Sequence, residues 1–451
     1  MKSIQTRIKT ILDGPAMPGK EYVASGYIYS DVYSIAAGFR KRFSRKNMAD
    51  KPVCICTEDK GIIMAALLAS LAGGPVFILP YSLSAKALVE TRDGMRFTHA
   101  ITDGSIDLPE GIEGIYPERE SWKSLPTGGF RAVNSVFLEL FTGGSTDKPK
   151  AWTKTPINMF NESDFLRVKY RVSSDDLIAS TVPPYHIYGL LYTVLMPFLA
   201  SASVLGRTYV FPQEILAVLK DNPVTVLVSV PVHYRILNGA HIYSPHLRLA
   251  FSSAGPLDRN DGIYFHQKTG TGVEEIYGST ETGGVACKCA ALRRELHEPF
   301  DWVACKVKNE RLCVKSTLLS PDLPLDDEGF YMTGDRVEFS EKNTFKLLGR
   351  ADGVIKVGGK RVDLIAVQDK IKQLPGIRDA FVVSVEGRKG RDADIAAVVE
   401  ASLSEDELKS ILYDIFEPVA VPRRLLIVDK IPSTSTGKYD RDAVMKMILG
   451  E

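Results

Sequence analysis

The chain has 451 residues, 45% of them apolar, and its 56 Lys and Arg nearly balance 55 Asp and Glu. That length is more than one hydrophobic core usually serves, so two or more domains are expected. The even charge balance excludes a dedicated nucleic-acid binder or a protein held on an anionic membrane by bulk charge. The basic N-terminus has no continuous apolar segment behind it, which predicts a cytoplasmic protein without a secretory signal.

Taken in chain order, Val53-Cys-Ile-Cys56 predicts a short buried strand, residues 62–71 a helix and residues 76–79 a second strand, a βαβ pattern that implies a parallel sheet. Residues 61–80 and 177–206 are each apolar enough to imitate a membrane span. Gly73-Gly74-Pro75 breaks the first and Pro183-Pro184 with Pro197 the second, so buried α/β core is expected and stable membrane insertion is not. Strand-like runs recur at residues 136–141, 224–230, 247–253 and 273–276, and each ends in a loop rich in Gly, Ser, Thr or Pro. In doubly wound α/β sheets, ligands sit beyond the carboxyl ends of such strands. Residues 303–348 alternate in shorter runs, predicting a small β-rich subdomain. Beyond Arg350 the pattern turns to compact α/β units, with helices at 362–374 and 404–415 and strands at 380–385 and 395–400.

The cysteines form two Cys-x-Cys pairs, Cys54/Cys56 and Cys287/Cys289, with Cys305 and Cys313 further on. Alternate strand residues share a face, so packing explains the pairs; their spacing with His297 fits no strong zinc pattern. Disulfides are not expected in a cytoplasmic protein.

Five segments carry chemistry. Thr142-Gly143-Gly144-Ser145-Thr146-Asp147-Lys148-Pro149-Lys150 leaves a strand and offers small residues, hydroxyls and lysines to a phosphate, without the Gly-Lys-Ser/Thr order of a Walker loop. Tyr277-Gly278-Ser279-Thr280-Glu281-Thr282-Gly283 joins an aromatic face to hydroxyls and one carboxylate. Thr333-Gly334-Asp335, then Gly349-Arg350-Ala351-Asp352-Gly353, and finally Gly437-Lys438 complete the series. Lys438 lies in a polar stretch from which a lysine can reach into a cleft as a point charge.

In that order the five segments resemble the adenylate-forming superfamily of acyl-CoA synthetases, adenylation enzymes and luciferase-like proteins, and the likeness runs from about residue 50 to residue 445. The resemblance implies an α/β fold: a large N-terminal domain of doubly wound sheets with a small β-rich subdomain (1–350), and a small mobile α/β C-terminal domain (351–451) carrying the catalytic lysine. It implies that Thr142, Gly143, Gly144, Ser145, Thr146 and Lys150 hold the ATP phosphates. Ala254 and Gly255 then flank adenine, Tyr277 stacks on it beside Gly278 and Ser279, Asp335 takes the ribose, and Arg350 contacts ribose or phosphate. Thr280 contacts the α-phosphate, Glu281 holds Mg²⁺, and Lys438 bridges carboxylate and α-phosphate. Asp352 is the hinge, and Gly358 and Gly359 line the thiol channel.

His186, in Pro183-Pro-Tyr-His-Ile-Tyr-Gly189, has a positioning role by the same resemblance, and Tyr185, His233, Tyr234 and Gly283 are expected in the acyl pocket. The implied cofactors are ATP and Mg²⁺, with CoA or phosphopantetheine as acceptor; the implied partners are a small carboxylic acid and CoA or an acyl carrier protein. The Arg388-Lys-Gly-Arg391 cluster could meet CoA phosphates or an acidic carrier, or be a solvated turn. The tyrosines favour a compact aromatic acid, and the short chain is similar to the small ligases of aryl-polyene-type pathways. Asp147 stands where the family has glycine and brings negative charge toward a triphosphate. That leaves an alternative: a degenerate family member that binds nucleotide or acyl-adenylate without turnover, as scaffold or sensor.

Overall fold

The computed structural model describes residues 4–45, 48, 51–125, 130–142, 150–340, 342–357, 360–387, 393–434 and 438–450. The chain forms two compact units. Unit 1 comprises residues 1–295, 300–303 and 316–324; unit 2 comprises residues 296–299, 304–315 and 325–451.

Unit 1 holds two α/β sheets. In one, the strands Glu113–Ile115, His99–Ile101, Val53–Ile55, Phe77–Leu79 and Leu138–Thr142 run parallel, and Lys150–Lys154 closes the edge antiparallel. In the other, Val273–Ser279, Leu249–Ser252, Val226–Ser229, Leu177–Ser180, Ser203–Thr208 and Glu21–Ala24 form a parallel run. Gly283–Cys289 pairs antiparallel with Val273–Ser279.

The helix Lys60–Leu71 is buried on every side, which is why its sequence imitates a membrane span. No helix among the described residues is long and apolar enough to cross a membrane. Even its first residue, Lys60, is buried, and its ammonium donates to the carbonyls of Leu205 (2.9 Å) and Gly206 (2.8 Å). Gly73 takes a positive φ of 86° just past the helix and so permits the turn into Phe77–Leu79.

The second apolar stretch becomes Leu177–Ser180, a short helix Ile187–Leu190, a π-helical turn Leu191–Leu195 and the helix Met196–Ala200. The cysteine pairs lie on strands or at their ends. Cys54 and Cys56 are buried with sulfurs 3.6 Å apart, and Cys287 and Cys289 are buried in one strand; all six are free thiols.

Unit 2 begins with an antiparallel ladder of Ala304–Lys308, Arg311–Lys315, Tyr331–Phe339 and Phe345–Arg350. A hairpin of Val354–Val357 and Lys360–Asp363 follows, and then a sheet of Ile377–Glu386, Ala393–Ala401 and Arg424–Val428 packed with the helices Leu364–Lys372, Glu405–Ile415 and Arg441–Leu449. The helix expected from residue 362 starts at Leu364, because Val362 is still in the hairpin and Asp363 caps the helix through the amides of Ile365 and Ala366. Ser404 and Glu407 make a reciprocal capping box that fixes the start of Glu405–Ile415.

Candidate active site

Four of the parallel strands of unit 1 end at Ser180, Ser229, Ser252 and Ser279, and segments singled out in the sequence lie at or just beyond these ends. After Leu249–Ser252, Ser253 donates through Oγ to the Ile276 carbonyl (3.0 Å), and the Glu275 carboxylate accepts the Leu257 amide (2.6 Å). Between those anchors Ala254 holds a φ of +72° and, with Gly255, is exposed. A non-glycine residue in this conformation persists only where its surroundings impose it.

Tyr277, Gly278 and Ser279 belong to the strand Val273–Ser279, not to a loop after it, because Gly283–Cys289 returns at once as its antiparallel partner. Thr280, Glu281 and Thr282 are the hairpin turn. Thr282 and Ser279 lock it: their hydroxyl oxygens are 2.9 Å apart, and the Ser279 amide donates to Thr282 Oγ1 at 3.1 Å. A Cβ on Gly278 would lie 2.3 Å from the Gly283 carbonyl oxygen, so only glycine permits this crossing. The Glu281 carbonyl accepts the Ser320 amide at 2.9 Å, and its half-buried side chain lies near Lys154.

Lys154 and Glu162 are residues that sequence reasoning missed. Lys154 ends the strand Lys150–Lys154 and Glu162 sits within the helix Pro156–Lys169; both are buried. Glu162 Oε1 accepts the Gly284 amide at 2.7 Å. Burial pushes the Glu162 carboxyl up and the Lys154 ammonium down, and each group's charge offsets part of the other's displacement. Glu162 recurs with Met159 and Leu166 on the buried face of its helix, and a carboxylate in an apolar stripe is the one local signal that could have revealed it.

The two residues that flank the expected phosphate segment are paired, Thr142 opposite Lys150 at the end of the antiparallel strands Leu138–Thr142 and Lys150–Lys154. Trp152 Nε1 donates to Thr142 Oγ1 (3.2 Å), and the Lys150 ammonium lies 5.1 Å from the Trp152 ring centre. Gly143, Gly144, Ser145, Thr146 and Asp147 lie outside the described residues, as do Gly358, Gly359 and the basic cluster 388–391.

The expected acid pocket divides. Thr181 Oγ1 lies 2.8 Å from Ser229 Oγ and 2.6 Å from His233 Nδ1, while the Tyr188 hydroxyl donates to the Ser229 carbonyl at 3.1 Å. The Tyr185 ring lies 4.7 Å from that of His186, tilted by 55°, and His186 is half-buried at the start of its helix. Gly283, at a φ of +67°, is buried against Glu162 and Leu318. Tyr234 instead belongs to the hydrophobic core with Phe265 and Leu219, its hydroxyl bound to the Phe251 carbonyl at 2.8 Å.

Burial lowers His233 to about 4, below the 6.5 of a free imidazole. A base depressed in the folded state contributes stability fully above its unfolded value, and that contribution is lost as pH falls from 6.5 toward 4. Unit 1 is therefore expected to lose about 2 kcal/mol between pH 6.5 and about pH 5 from this residue. Urea midpoints at the two pH values check this, and His233→Asn should flatten the difference.

In unit 2, Asp335 and Arg350 are directly paired across the ladder, with Arg350 Nη1 at 3.8 Å from Asp335 Oδ1. Gly334 makes room: a Cβ there would lie 2.5 Å from Arg350 Nη2. Asp352 falls in a short 3₁₀ turn, Ala351–Gly353; its side chain is outside the description. Lys438 is exposed, and its carbonyl accepts the Thr434 amide at 2.7 Å where Ser433 and Tyr439 form a β-bridge. The adjacent Tyr439 hydroxyl is held by Asp379 (2.7 Å) and Lys372 (2.6 Å), so the backbone beside Lys438 is anchored.

One unit thus carries two α/β sheets, with a hydroxyl- and glycine-rich turn after the strand Val273–Ser279, and the second unit adds a smaller α/β sheet with its own helices. The chain belongs to the AMP-binding enzyme family: the model of the AMP-binding enzyme matches residues 103–315, and that of its C-terminal domain matches residues 366–438. Among curated relatives, malonate–CoA ligase of Arabidopsis thaliana is 24% identical over 69% of this chain, and the human mitochondrial malonate–CoA ligase ACSF3 is 23% identical over 77%. The matched region spans 60% of the plant protein and 70% of the human one. Among solved structures, ATP-bound MatB from Rhodopseudomonas palustris aligns with a TM-score of 0.83 at 21% identity over 98% of both chains. A benzoate CoA ligase from Burkholderia xenovorans LB400 aligns with 0.80 at 18% identity over 98% of this chain and 100% of that one.

Proposed function

We propose that this chain activates a small carboxylic acid with ATP and passes the acyl group to a pantetheine thiol. The observation that carries it is the Tyr277–Gly283 hairpin at the carboxyl end of the parallel sheet. Its turn holds Thr280 and Glu281 between a hydroxyl lock and a buried carboxylate contact. In the first step a substrate carboxylate oxygen attacks the ATP α-phosphorus, the bond to the bridging oxygen breaks, and pyrophosphate leaves. Two anions must meet, so the chain's part is to place cations and hydrogen-bond donors around them. Lys438 is assigned the carboxylate and α-phosphate oxygens, Thr280 the α-phosphate, Lys150 and Thr142 the outer phosphates, and Asp335 with Arg350 the ribose.

Among the described residues no group of three or more His, Cys, Asp or Glu gathers to form a protein cage for a metal. A single carboxylate, Glu281, suits Mg²⁺, which takes few protein ligands and fills its shell with phosphate oxygens and water. When bound there, Mg²⁺ supplies neutralisation of phosphate charge. In the second step the thiol sulfur attacks the acyl carbon, the thiol proton passes to solvent, and AMP leaves with the carboxyl-derived oxygen. Asp352 is assigned the hinge, and Gly358 with Gly359 the path of the pantetheine arm, whose carrier is CoA or an acyl carrier protein.

The acid is compact. Tyr185, His186 and Tyr188 support an aromatic one. A short dicarboxylic acid is the second reading, favoured by the buried Thr181–Ser229–His233 cluster, whose hydroxyls and neutral imidazole suit a polar acid. Pyrophosphate release with ATP and Mg²⁺ across aryl, short dicarboxylic and long-chain acids, followed by addition of CoA or a holo carrier protein, tests the function. Acid-dependent release followed by thioester is expected. Silence across the panel with ATP binding intact would overturn turnover in favour of a nucleotide-binding scaffold.

A further inference from the structure

The helix Pro156–Lys169 touches the Tyr277–Gly283 hairpin through one charged side chain and the neighbouring loop through one amide. Glu162 Oε1 takes the Gly284 amide at 2.7 Å, and its Oε2 lies 2.7 Å from where a Cβ on Gly283 would stand. One helical turn earlier, Asn158 donates to the carbonyls of Thr317 (2.8 Å) and Leu319 (3.2 Å). The next residue, Ser320, donates its amide to the Glu281 carbonyl. The turn bearing Thr280 and Glu281 is thus gripped on both sides by groups that trace back to one helix. The charge is unusual in its setting: Glu162 is 3% exposed, and the cation that offsets it, Lys154, is 1% exposed. Two buried charges that offset each other are a poor source of stability, since apolar residues of the same volume serve as well. Their presence under a hairpin turn calls for another role.

We propose that Glu162 is a positioning residue for adenylation, setting the height of the Thr280–Glu281 turn through its bond to the Gly284 amide, with Lys154 as its buried counter-charge. This rests on the function proposed above. Neither residue touches the reacting atoms; Glu162 acts through Gly283 and Gly284, and Lys154 through Glu162 and the nearby Glu281.

Two substitutions separate positioning from folding. Glu162→Gln keeps the length and the acceptor for Gly284 but removes one of the two carboxylate charges near the buried Lys154, leaving Glu281. Glu162→Asp keeps the charge but withdraws the acceptor by one methylene. If Glu162 positions the turn, kcat for acid-dependent pyrophosphate release falls about threefold in E162Q, where a charge-assisted bond becomes a neutral one. It falls about 30-fold or more in E162D, where the turn can shift by the order of an ångström. KM for the acid stays within about twofold in both variants, and the ratio of ATP affinities with and without Mg²⁺ drops in E162D by the same order as kcat.

Thermal stability should run the other way, with E162Q the less stable because it takes a carboxylate charge away from a buried lysine. Activity that follows stability across the two variants, or a loss confined to KM for the acid, overturns the proposal. If the wild-type protein releases no pyrophosphate with any acid, the proposed function fails instead. The inference is then decided by ATP binding alone: an unchanged Mg²⁺ dependence in E162D overturns it, and a reduced one upholds it.

Discussion

Replacing Lys438 with alanine is expected to lower acid-dependent pyrophosphate release by about 100- to 1,000-fold while ATP affinity changes by less than about threefold. The size follows from the step assigned to it. A carboxylate and a phosphate repel until a cation lies between them, and one preorganised donor to developing charge is typically worth two to three orders of magnitude. The selectivity follows from where Lys438 lies. Thr434 binds its carbonyl, Tyr439 beside it is fixed by Asp379 and Lys372, and Asp440 caps the helix Arg441–Leu449 through the Ala443 amide. The backbone survives removal of the side chain. Single-turnover formation of acyl-adenylate, measured beside equilibrium ATP binding, checks both halves; equal loss of the two would remove Lys438 from the chemistry.

Gly189→Ala should be among the most damaging single substitutions in unit 1. A Cβ there would stand 2.0 Å from the Pro183 carbonyl oxygen and 3.2 Å from Pro184 Cα, and both obstacles are backbone with no rotamer to change. The helix Ile187–Leu190 must then lift from the Pro183-Pro184 turn, at a cost of about 3 kcal/mol or more. For a unit of this size that corresponds to a midpoint lower by roughly 5 °C. The shift also drags Tyr185 and His186, which lie between the two. Gly94→Ala is the internal control: nothing lies within 4 Å of its missing Cβ in the helix Ala85–Met95, so a gain of about 0.5–1 kcal/mol is expected there. Differential scanning calorimetry on both variants gives the comparison.

Much of the frame was legible because its signals are local. Gly73-Gly74-Pro75 divides one apolar stretch into helix and strand, and the prolines at 183 and 184 separate strand from helix in the other, whereas Pro197 breaks nothing and sits in the first turn of the helix Met196–Ala200. Each break has a chemical cause in the residues themselves. Tyr277-Gly278-Ser279 was harder. Glycines and hydroxyls suggest a loop after a strand, yet these residues remain in the ladder because a partner strand begins only four residues later, at Gly283. A tight antiparallel return with glycines on both legs has the composition of a loop and the hydrogen bonding of a sheet.

Tyr234 shows another limit. Its neighbour His233 faces the hydroxyls of Thr181 and Ser229, while the tyrosine enters the core on Phe265. Adjacent residues on a helix point about 100° apart, and sequence alone does not say which faces the site. Lys154 and the contact that Glu162 makes were illegible for a third reason. Glu162's hydrogen-bond partner, the Gly284 amide, stands 122 positions away, a relation that no window of local pattern contains.

The hairpin of Leu138–Thr142 and Lys150–Lys154 bears on how this chain could vary over time. Thr142 pairs with Lys150 at its mouth, and the Trp152 indole ties back to the Thr142 hydroxyl, so the register of both legs is fixed before the loop begins. A change of composition beyond that latch cannot slip the sheet beneath it. Substitutions between the two legs, the aspartate at 147 among them, therefore leave this edge of the sheet paired as it is, and a lineage can carry them without first rebuilding the strands on either side.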